Sequence, residues 1–150
     1  MIRTNRNGNN GKYRNAKQGR FFPSHPEKFT GNYVPIFKSS LEYRFMLYAD
    51  RNSNVIAWGY ETFPIKYLDT TTGKIRNYYL DFVLLMKTPL GTRKVWVEVK
   101  DSRETHKPRS LKNIRDNLIW EKNQCKWKAA FSLARQRGCD FKILTERELV

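Results

Sequence analysis

Two adjacent strand-like runs constrain the fold of this chain more than any other feature of its sequence. Residues 79–85 and residues 94–100 are rich in aliphatic and aromatic side chains, and a turn containing proline and glycine separates them. The pattern predicts two neighbouring β-strands. Because successive side chains of a strand point to opposite faces, Glu98 and Lys100 share one face, about 7 Å apart along the strand. Pairing of the two strands can place Asp81 beside them.

Asp81, Glu98 and Lys100 form the cluster of acidic and basic residues in this sequence that could carry out a hydrolysis reaction. Hydrolysis of a phosphodiester needs an activated water and neutralised phosphate charge, and a divalent cation held by oxygen ligands supplies both. Asp81 and Glu98 are the expected ligands, with the backbone carbonyl of Val99 as a third. Glu42 would complete the set or hold a metal-bound water. Oxygen ligands of this kind predict Mg²⁺ or Mn²⁺. Lys100 would position or help to deprotonate the water and offset charge in the transition state.

The net charge of the chain indicates a polyanionic partner. Lysine and arginine number 29 against 14 acidic residues, which gives a formal net charge of +15 and a pI near 10.0. Residues 39–102 hold seven of the acids, whereas residues 1–38 hold one acid and eight basic residues. An acidic pocket in a basic frame is expected of a protein that binds a cation and a nucleic acid. The alternatives are an acidic protein partner or simple solubility.

Other features of the sequence argue against several classes of protein. The first residues lack the apolar region of a secretory signal, and the longest apolar run, residues 80–86, is too short to span a bilayer. Cys125 and Cys139 do not have a metal-binding spacing and are expected to be reduced thiols. With His25 and His106 as the histidines, neither a zinc site nor a cysteine–histidine nucleophile is expected. We therefore expect a cytoplasmic protein without a membrane partner.

Composition divides the chain into three segments. Residues 1–20 are rich in asparagine, glycine, lysine and arginine and predict a flexible basic arm. This arm would follow a phosphate backbone, become ordered on a partner, or remain a solvated tail. Residues 21–38 contain three prolines and several aromatic side chains, which favours an extended segment packed on the domain rather than a helix. Residues 39–150 form the expected folded domain.

Two helices are predicted in this domain. The first spans about residues 40–50, with Ser39 or Ser40 as its N-cap, and carries Glu42 at the edge of its apolar stripe. A glutamate in the first turn can instead serve only the helix dipole. The second spans about residues 117–137 and ends at a C-cap glycine. Four strands are predicted between the two helices and one after the second: residues 55–58, 62–68, 75–86, 94–100 and 141–144.

The second predicted helix adds one more candidate for the site. Gln124 is expected to face inward, because it falls at helical spacing among aromatic residues: Trp120, Trp127 and Phe131. A buried amide needs partners, which are either the metal site and its water or backbone groups in the core. Three lysines of this helix are either phosphate contacts at the rim or an ordinary solvated face: Lys122, Lys126 and Lys128.

The order of elements and the acid–lysine pattern resemble a known superfamily. Asp81 followed by Glu98-x-Lys100 is similar to the signature of the PD-(D/E)xK nucleases, with Glu42 matching their helical acid. Leu80 stands where those nucleases usually have a proline. More closely, the chain resembles the head-completion nucleases of T-even-like tailed phages, over residues 5–14, 39–42, 79–82, 123–130 and 141–145. Its middle portion is also similar to the endonuclease subunit of heteromeric cut-and-paste transposons.

This resemblance implies an α/β fold with a restriction-endonuclease-like core, in which helices flank a mixed central β-sheet and the basic extended arm precedes it. It implies a Mg²⁺-dependent endonuclease of double-stranded DNA that acts in phage head completion, after DNA packaging and before tail joining. Head, portal or neck proteins would be its partners, in the host cytoplasm or on the virion. One alternative is a structural protein that binds DNA or the portal and keeps a vestigial nuclease site. Another is a plain nucleic-acid-binding module. Homodimer formation is left open.

Overall fold

The structure, a computed structural model, describes residues 3–4 and 17–149 of the chain. Two α-helices lie in this part, α1 at Ser40–Arg51 and α2 at Ile114–Gln136. The strands β1 to β9 are, in chain order, Arg3–Thr4, Lys17–Arg20, Ile36–Phe37, Val55–Tyr60, Pro64–Asp69, Lys74–Tyr79, Phe82–Thr88, Gly91–Val99 and Asp140–Leu144. Two short 3₁₀ helices lie at Pro26–Lys28 and Ser102–Thr105.

A mixed four-stranded sheet in the order β4-β7-β8-β9 forms the centre of the domain. Strand β7 pairs antiparallel with β4 and β8, and β9 joins β8 in parallel after the chain has passed through α2. The predicted pairing of the two strand-like runs is confirmed. Thr88 pairs with Gly91, whose φ of 126° is open to glycine and strained for other residues. The domain has the restriction-endonuclease-like α/β fold that the sequence indicates.

The two faces of the central sheet bury two separate cores. On the first face, α1 packs Phe45 against Phe82 of β7, with ring centroids 4.2 Å apart. On the second face, Trp96 of β8 packs with Ala130 and Ala134 of α2 and with the two-stranded ribbon β5-β6. Alternate residues of β8 therefore enter opposite cores, as expected of a strand that is covered on both sides.

The sequence predicts one long strand over residues 75–86, and this prediction is wrong. The chain bends at Leu80 and Asp81, so that β6 pairs with β5 in the ribbon while β7 enters the central sheet. Leu80 is buried in the second core, and the Asp81 carboxylate accepts a hydrogen bond from the backbone N–H of Val99 in β8. No glycine or proline marks the break in the sequence. Tertiary contacts interrupt the β-pattern and leave Asp81 outside strand pairing.

The described parts of the predicted N-terminal arm are short strands. Arg3–Thr4 pairs antiparallel with Lys17–Arg20, which in turn pairs with Ile36–Phe37 just before α1. The remainder of the predicted arm, residues 1–2 and 5–16, lies outside the described residues. The arm is therefore connected to the domain through β2 and β3 in the portion that the structure describes.

The segment between β2 and α1 is fastened to the C-terminal end of that helix. Asp50 is 1% exposed and accepts hydrogen bonds from the backbone N–H groups of Ser24 and His25, both at 2.9 Å. The Lys28 ammonium donates to the carbonyl of Asn52 at 2.8 Å and thereby satisfies a backbone acceptor beyond the last turn. These bonds hold the N-terminal segment against α1 and so support the helix that carries Glu42.

Both helices begin at side-chain caps. The Ser39 hydroxyl accepts a hydrogen bond from the backbone N–H of Glu42, which confirms the predicted start of α1. Helix α2 starts earlier than predicted, because the Asn113 side chain caps it. It ends before Gly138, which has a φ of 69° and is a C-cap of the expected kind. No helix in the described part of the chain is long and apolar enough to cross a membrane.

Candidate active site

Asp81 is anchored at the bend between β6 and β7. Its Oδ2 accepts a hydrogen bond from the backbone N–H of Val99 at 2.8 Å, and its carbonyl accepts one from the backbone N–H of Glu61 at 3.0 Å. The first bond ties the carboxylate to β8, at the residue that follows Glu98. The bend and this bond therefore bring together the two carboxylates that the sequence predicts as a pair.

Glu98 is a buried carboxylate that lacks a full set of partners. Its side chain is 6% exposed, and its Oε2 has no hydrogen-bond partner among the described residues. Burial raises the pKa of Glu98 to about 7, against the opposing effects of the Lys100 charge and a hydrogen bond from the backbone of Asp81. A buried carboxylate oxygen without a donor is costly, and a bound cation would offset that cost.

The carboxylates of the site raise one another's pKa values. The pKa of Asp81 lies well above its ordinary value, first because of burial and then because of the charges on Glu98 and Glu42. The Val99 N–H and the Lys100 charge act in the opposite direction. Like charges within a few ångströms disfavour ionisation, and an added positive charge reverses that effect. The group is therefore suited to a cation.

Lys100 directly follows β8 and faces the same group of charges. Its backbone N–H donates to the carbonyl of Leu144 in β9 at 2.9 Å, which fixes the main chain at this point. Its positive charge lowers the pKa values of both Asp81 and Glu98, so that its ammonium lies within electrostatic reach of both carboxylates. The side chain can stabilise negative charge at the site.

Glu42 reaches this region from the first turn of α1. Its side chain is 8% exposed, and Oε2 accepts hydrogen bonds from the backbone N–H of Lys38 at 2.6 Å and from the Tyr60 hydroxyl at 3.1 Å. Burial raises the pKa of Glu42, while these two donors lower it. Together with the Ser39 cap, the bond to the Lys38 N–H resembles a capping box. Glu42 thus has a structural role at the helix terminus as well as a place beside the other carboxylates.

The fit of the site to a divalent cation rests on Asp81 and Glu98. Among the described residues, no three aspartate, glutamate, histidine or cysteine side chains are grouped so that they could hold a metal ion. Asp81 and Glu98 nonetheless suit one as a pair, because Glu98 has a buried oxygen without a donor and the pKa values of both are raised. Mg²⁺ commonly uses one or two carboxylates and keeps several waters. The carbonyl of Val99 stays the predicted third ligand.

The expectation that Gln124 faces inward is wrong. Gln124 is exposed, and the buried positions of α2 are Asn123, Trp127, Ala130 and Ala134. The apolar face is therefore built around small residues, and Phe131 is 55% exposed. Aromatic spacing indicated the wrong face, because two alanines allow α2 to approach the sheet closely where larger side chains would hold it away. Gln124 is therefore not a buried amide of the core, and its role at the site stays a prediction.

Three residues at the end of β4 and before α1 were not foreseen as part of the site. The Tyr60 hydroxyl binds Glu42, and Glu61 donates its N–H to Asp81 while its carboxylate pairs with the Lys38 ammonium at 2.9 Å. Glu61 has a φ of 46°, which is unusual for a residue other than glycine. Strain of this kind persists where surrounding bonds hold it. These three residues join the site through contacts with residues that are distant in the sequence. Local sequence patterns therefore do not indicate their involvement.

The geometry now defines a class of protein. A mixed sheet lies between helices, an aspartate precedes one central strand, and a glutamate and a lysine end the neighbouring strand. This arrangement is that of a restriction-endonuclease-like domain.

Comparison with known proteins identifies the family within that class. Residues 52–146 match the family described as TnsA-like endonuclease N terminal, a span that includes Asp81, Glu98 and Lys100 but not Glu42. The chain is also 36% identical over 141 residues to the head completion nuclease of Enterobacteria phage T4, covering 87% of this chain and 92% of that protein. The chain therefore belongs to the TnsA-like endonuclease family.

Proposed function

We propose that this protein is a Mg²⁺-dependent DNA endonuclease that acts in the completion of a phage head, after DNA packaging and before tail joining. The observation that carries the proposal is the buried, unpartnered Oε2 of Glu98 beside Asp81 and Lys100. Such a group has no structural advantage without a ligand, since an unsatisfied buried carboxylate destabilises a fold. The name of the similar T4 protein, head completion nuclease, supports a nuclease activity and a role in head completion.

Each residue of the site has a role that follows from its position. Asp81 and Glu98, with the Val99 carbonyl, would hold Mg²⁺, or Mn²⁺ in its place. When bound, the cation neutralises phosphate charge and makes a water more acidic. Glu42, already oriented by the Tyr60 hydroxyl, would hold a water near the metal rather than bind the metal itself. Lys100 would orient the attacking water and stabilise the negative charge that develops on the phosphate.

The charge of the chain supports DNA as the substrate. The formal net charge of +15 favours association with a polyanion, and the acidic site would receive only the phosphate to be cleaved. Proteins of the head, portal or neck would bring the enzyme to that DNA, in the host cytoplasm or on the assembling particle. Sedimentation of the protein with and without DNA would determine whether it forms a homodimer.

The experiment that tests the proposal uses purified protein with linear and branched duplex DNA in Mg²⁺, Mn²⁺ or EDTA. Asp81→Asn and Lys100→Ala should each abolish cleavage and keep DNA binding, because they remove a metal ligand and a charge-stabilising group. Two control variants should cleave as the wild type does. Lys142→Ala changes an exposed lysine of β9, and Glu27→Gln changes a carboxylate whose side chain is 71% exposed. Cleavage that persists in EDTA or in Asp81→Asn would refute the assigned site.

A structural role in head completion is the second candidate function. It is favoured by the bonds that already engage Glu42 and by the lack, in the described residues, of a three-side-chain metal group. This alternative predicts a wild-type protein that binds DNA in every buffer and never cuts it. A plain nucleic-acid-binding module would behave in the same way, and complementation of a head-completion defect by Asp81→Asn would separate the two.

A further inference from the structure

Lys126 occupies an unusual position on α2. The side chain is half-buried, and its Nζ lies 5.9 Å from the ring centroid of Tyr67 and 5.8 Å from that of Tyr78. Both rings belong to the β5-β6 ribbon, which packs against α2. An ammonium over aromatic faces is held by their quadrupoles, and the two rings restrict where the side chain can point.

The ammonium of Lys126 lies beside the candidate site. Burial and the charge of Lys100 lower the pKa of Lys126, while the charge of Glu98 raises it. Lys126 in turn lowers the pKa of Glu98, so the two groups lie within electrostatic reach of each other. The ribbon therefore holds a second lysine near the carboxylates, and this lysine comes from α2 rather than from β8.

Tyr78 links Lys126 to the carboxylates. Its side chain is 7% exposed, and its hydroxyl has no hydrogen-bond partner among the described residues. Burial raises the pKa of Tyr78, and the charges of Glu98 and Asp81 raise it further. A buried hydroxyl without a partner and a half-buried ammonium thus lie on the same side of the site, where an anionic oxygen would satisfy both.

The neighbouring lysines of α2 show that this position is particular to Lys126. The Lys122 ammonium lies 3.6 Å from the Asp69 carboxylate and is therefore compensated within the fold. Lys128 is exposed on the solvent side of the helix. Lys126 instead lies near two like charges, those of Lys100 and Lys122, as well as the opposite charges of Glu98 and Asp69. Two ammonium groups near one another are favourable when an anion lies between them.

We propose that Lys126 is a second phosphate-binding lysine of the active site, which holds a DNA phosphate at or next to the scissile bond from the α2 side. The inference rests on the proposed nuclease function, since it assigns Lys126 to the same substrate. Lys100 acts from β8 and Lys126 from α2, so that the phosphate is bound from two elements. A lysine serves well here as a compact charge with three donors, and the aromatic rings restrict its orientation.

The test compares Lys126→Met with Lys128→Met, which remove the same charge from the same helix. DNA binding is measured in the Asp81→Asn background without divalent ions, at several salt concentrations. Single-turnover cleavage is measured in the otherwise wild-type protein with Mg²⁺. For Lys126→Met we expect the slope of log K against log salt to fall by about 1. We also expect cleavage to slow roughly 10- to 100-fold, because a group that stabilises phosphate charge is lost. Lys128→Met should change the rate by less than about threefold, as an exposed substitution does.

Two further measurements separate phosphate binding from a merely structural role. Lys126→Arg keeps a cation over the rings and should restore the salt slope while recovering only part of the cleavage rate. The unfolding temperature of Lys126→Met should lie close to that of Lys128→Met, because methionine keeps the contact with the two rings and a half-buried ammonium that costs desolvation is removed. If Lys126 served only as a counter-charge for Glu98, Lys126→Met would lose stability and keep the salt slope of the wild type. That result would overturn the proposal.

Failure of this inference can be distinguished from failure of the nuclease function. If the wild type cleaves, Asp81→Asn does not, and the two methionine variants behave alike in slope and rate, the function stands and the role of Lys126 is refuted. If the wild type never cleaves, the nuclease function fails. The role of Lys126 is then tested by the salt dependence of DNA binding alone. A smaller slope for Lys126→Met than for Lys128→Met supports phosphate binding by Lys126, and equal slopes refute it.

Discussion

The two sides of the central sheet differ in how completely their buried carboxylates are satisfied, although the buried indole N–H of Trp58 on the α1 side also has no partner among the described residues. On the α1 side, Glu42 has two donors on one oxygen, and each oxygen of Asp50 accepts a backbone N–H. On the α2 side, the Oε2 of Glu98 and the hydroxyl of Tyr78 have no partner among the described residues. Both sides bury acidic groups to a similar extent, with Glu42 8% and Glu98 6% exposed. The two glutamates therefore do not differ in burial, but they do differ in how many hydrogen bonds their carboxylates accept.

This difference indicates which side holds its buried carboxylates within the fold and which side awaits a ligand. A satisfied buried hydrogen bond adds about 1 kcal/mol to stability, whereas an unsatisfied buried group costs about 1–3 kcal/mol. The α1 side therefore contributes stability in the free protein. The α2 side bears a cost that a cation and a phosphate would remove on binding. Substitutions on the two sides should consequently affect different observables.

The largest effect is expected for Glu98→Gln on the α2 side. The loss of a metal ligand should slow single-turnover cleavage by about a thousandfold, equivalent to about 4 kcal/mol of transition-state stabilisation. Its free energy of unfolding should stay within about 1 kcal/mol of the wild type, since the carboxylate is not well satisfied there. Cleavage and urea unfolding are measured in parallel, with Glu27→Gln as the exposed control. A variant that unfolds easily would instead make Glu98 a structural residue.

Asp50→Ala should give the largest loss of stability. The substitution removes the buried acceptor of the Ser24 and His25 N–H groups and with it the connection between the N-terminal segment and α1. We expect the free energy of unfolding in urea to fall by about 3 kcal/mol, as for two hydrogen bonds to a charged acceptor. Cleavage measured well below the unfolding transition should be nearly unchanged. A loss of activity without a loss of stability would contradict the division between the two sides.

Addition of Mg²⁺ should stabilise the protein through the α2 side alone. At a concentration a hundredfold above Kd, a ligand that binds only the folded state adds about 2.7 kcal/mol to the free energy of unfolding. Thermal unfolding in Mg²⁺ and in EDTA measures the difference for the wild type and for Asp50→Ala, which should gain the same increment. Glu98→Gln should gain almost none. An equal shift in all three proteins would place the cation elsewhere.

The sequence predicts the parts of this molecule that depend on local pattern. The Ser39 cap, the pairing of β7 with β8 and the opposite faces of neighbouring residues in β8 follow from spacing and residue type. Asp81 and Glu98 could be paired in advance because they lie on successive runs of one hairpin-like pattern. These features need no knowledge of distant contacts.

The features that sequence reasoning missed all depend on tertiary contacts. The break at Leu80 arises because that side chain enters the second core, and nothing in residues 75–86 marks it. Gln124 was assigned to the wrong face of α2, because Ala130 and Ala134 pack closely and carry little weight in an aromatic pattern. The bond from Tyr60 to Glu42 joins residues 18 positions apart. Local propensity does not contain such information.

The smallest effects come from a matched pair of substitutions, Tyr60→Phe and Tyr78→Phe. Each removes one hydroxyl and keeps the ring. The Tyr60 hydroxyl donates to the Glu42 carboxylate in a buried position, so its loss should lower the free energy of unfolding by about 1 kcal/mol or somewhat more. The Tyr78 hydroxyl has no partner among the described residues, so its loss should leave stability unchanged or slightly raised.

In a cleavage assay, Tyr78→Phe should have the larger effect, whereas Tyr60→Phe has the larger effect on stability. Tyr78→Phe keeps the ring beneath Lys126 but removes a group that could bind the substrate, so cleavage should slow severalfold. Tyr60→Phe should change the rate less, because the Lys38 N–H still holds Glu42. Urea unfolding and single-turnover cleavage of both variants provide the four values needed. If both hydroxyls contributed equally to stability, the cost assigned to the unpartnered groups of the α2 side would not exist.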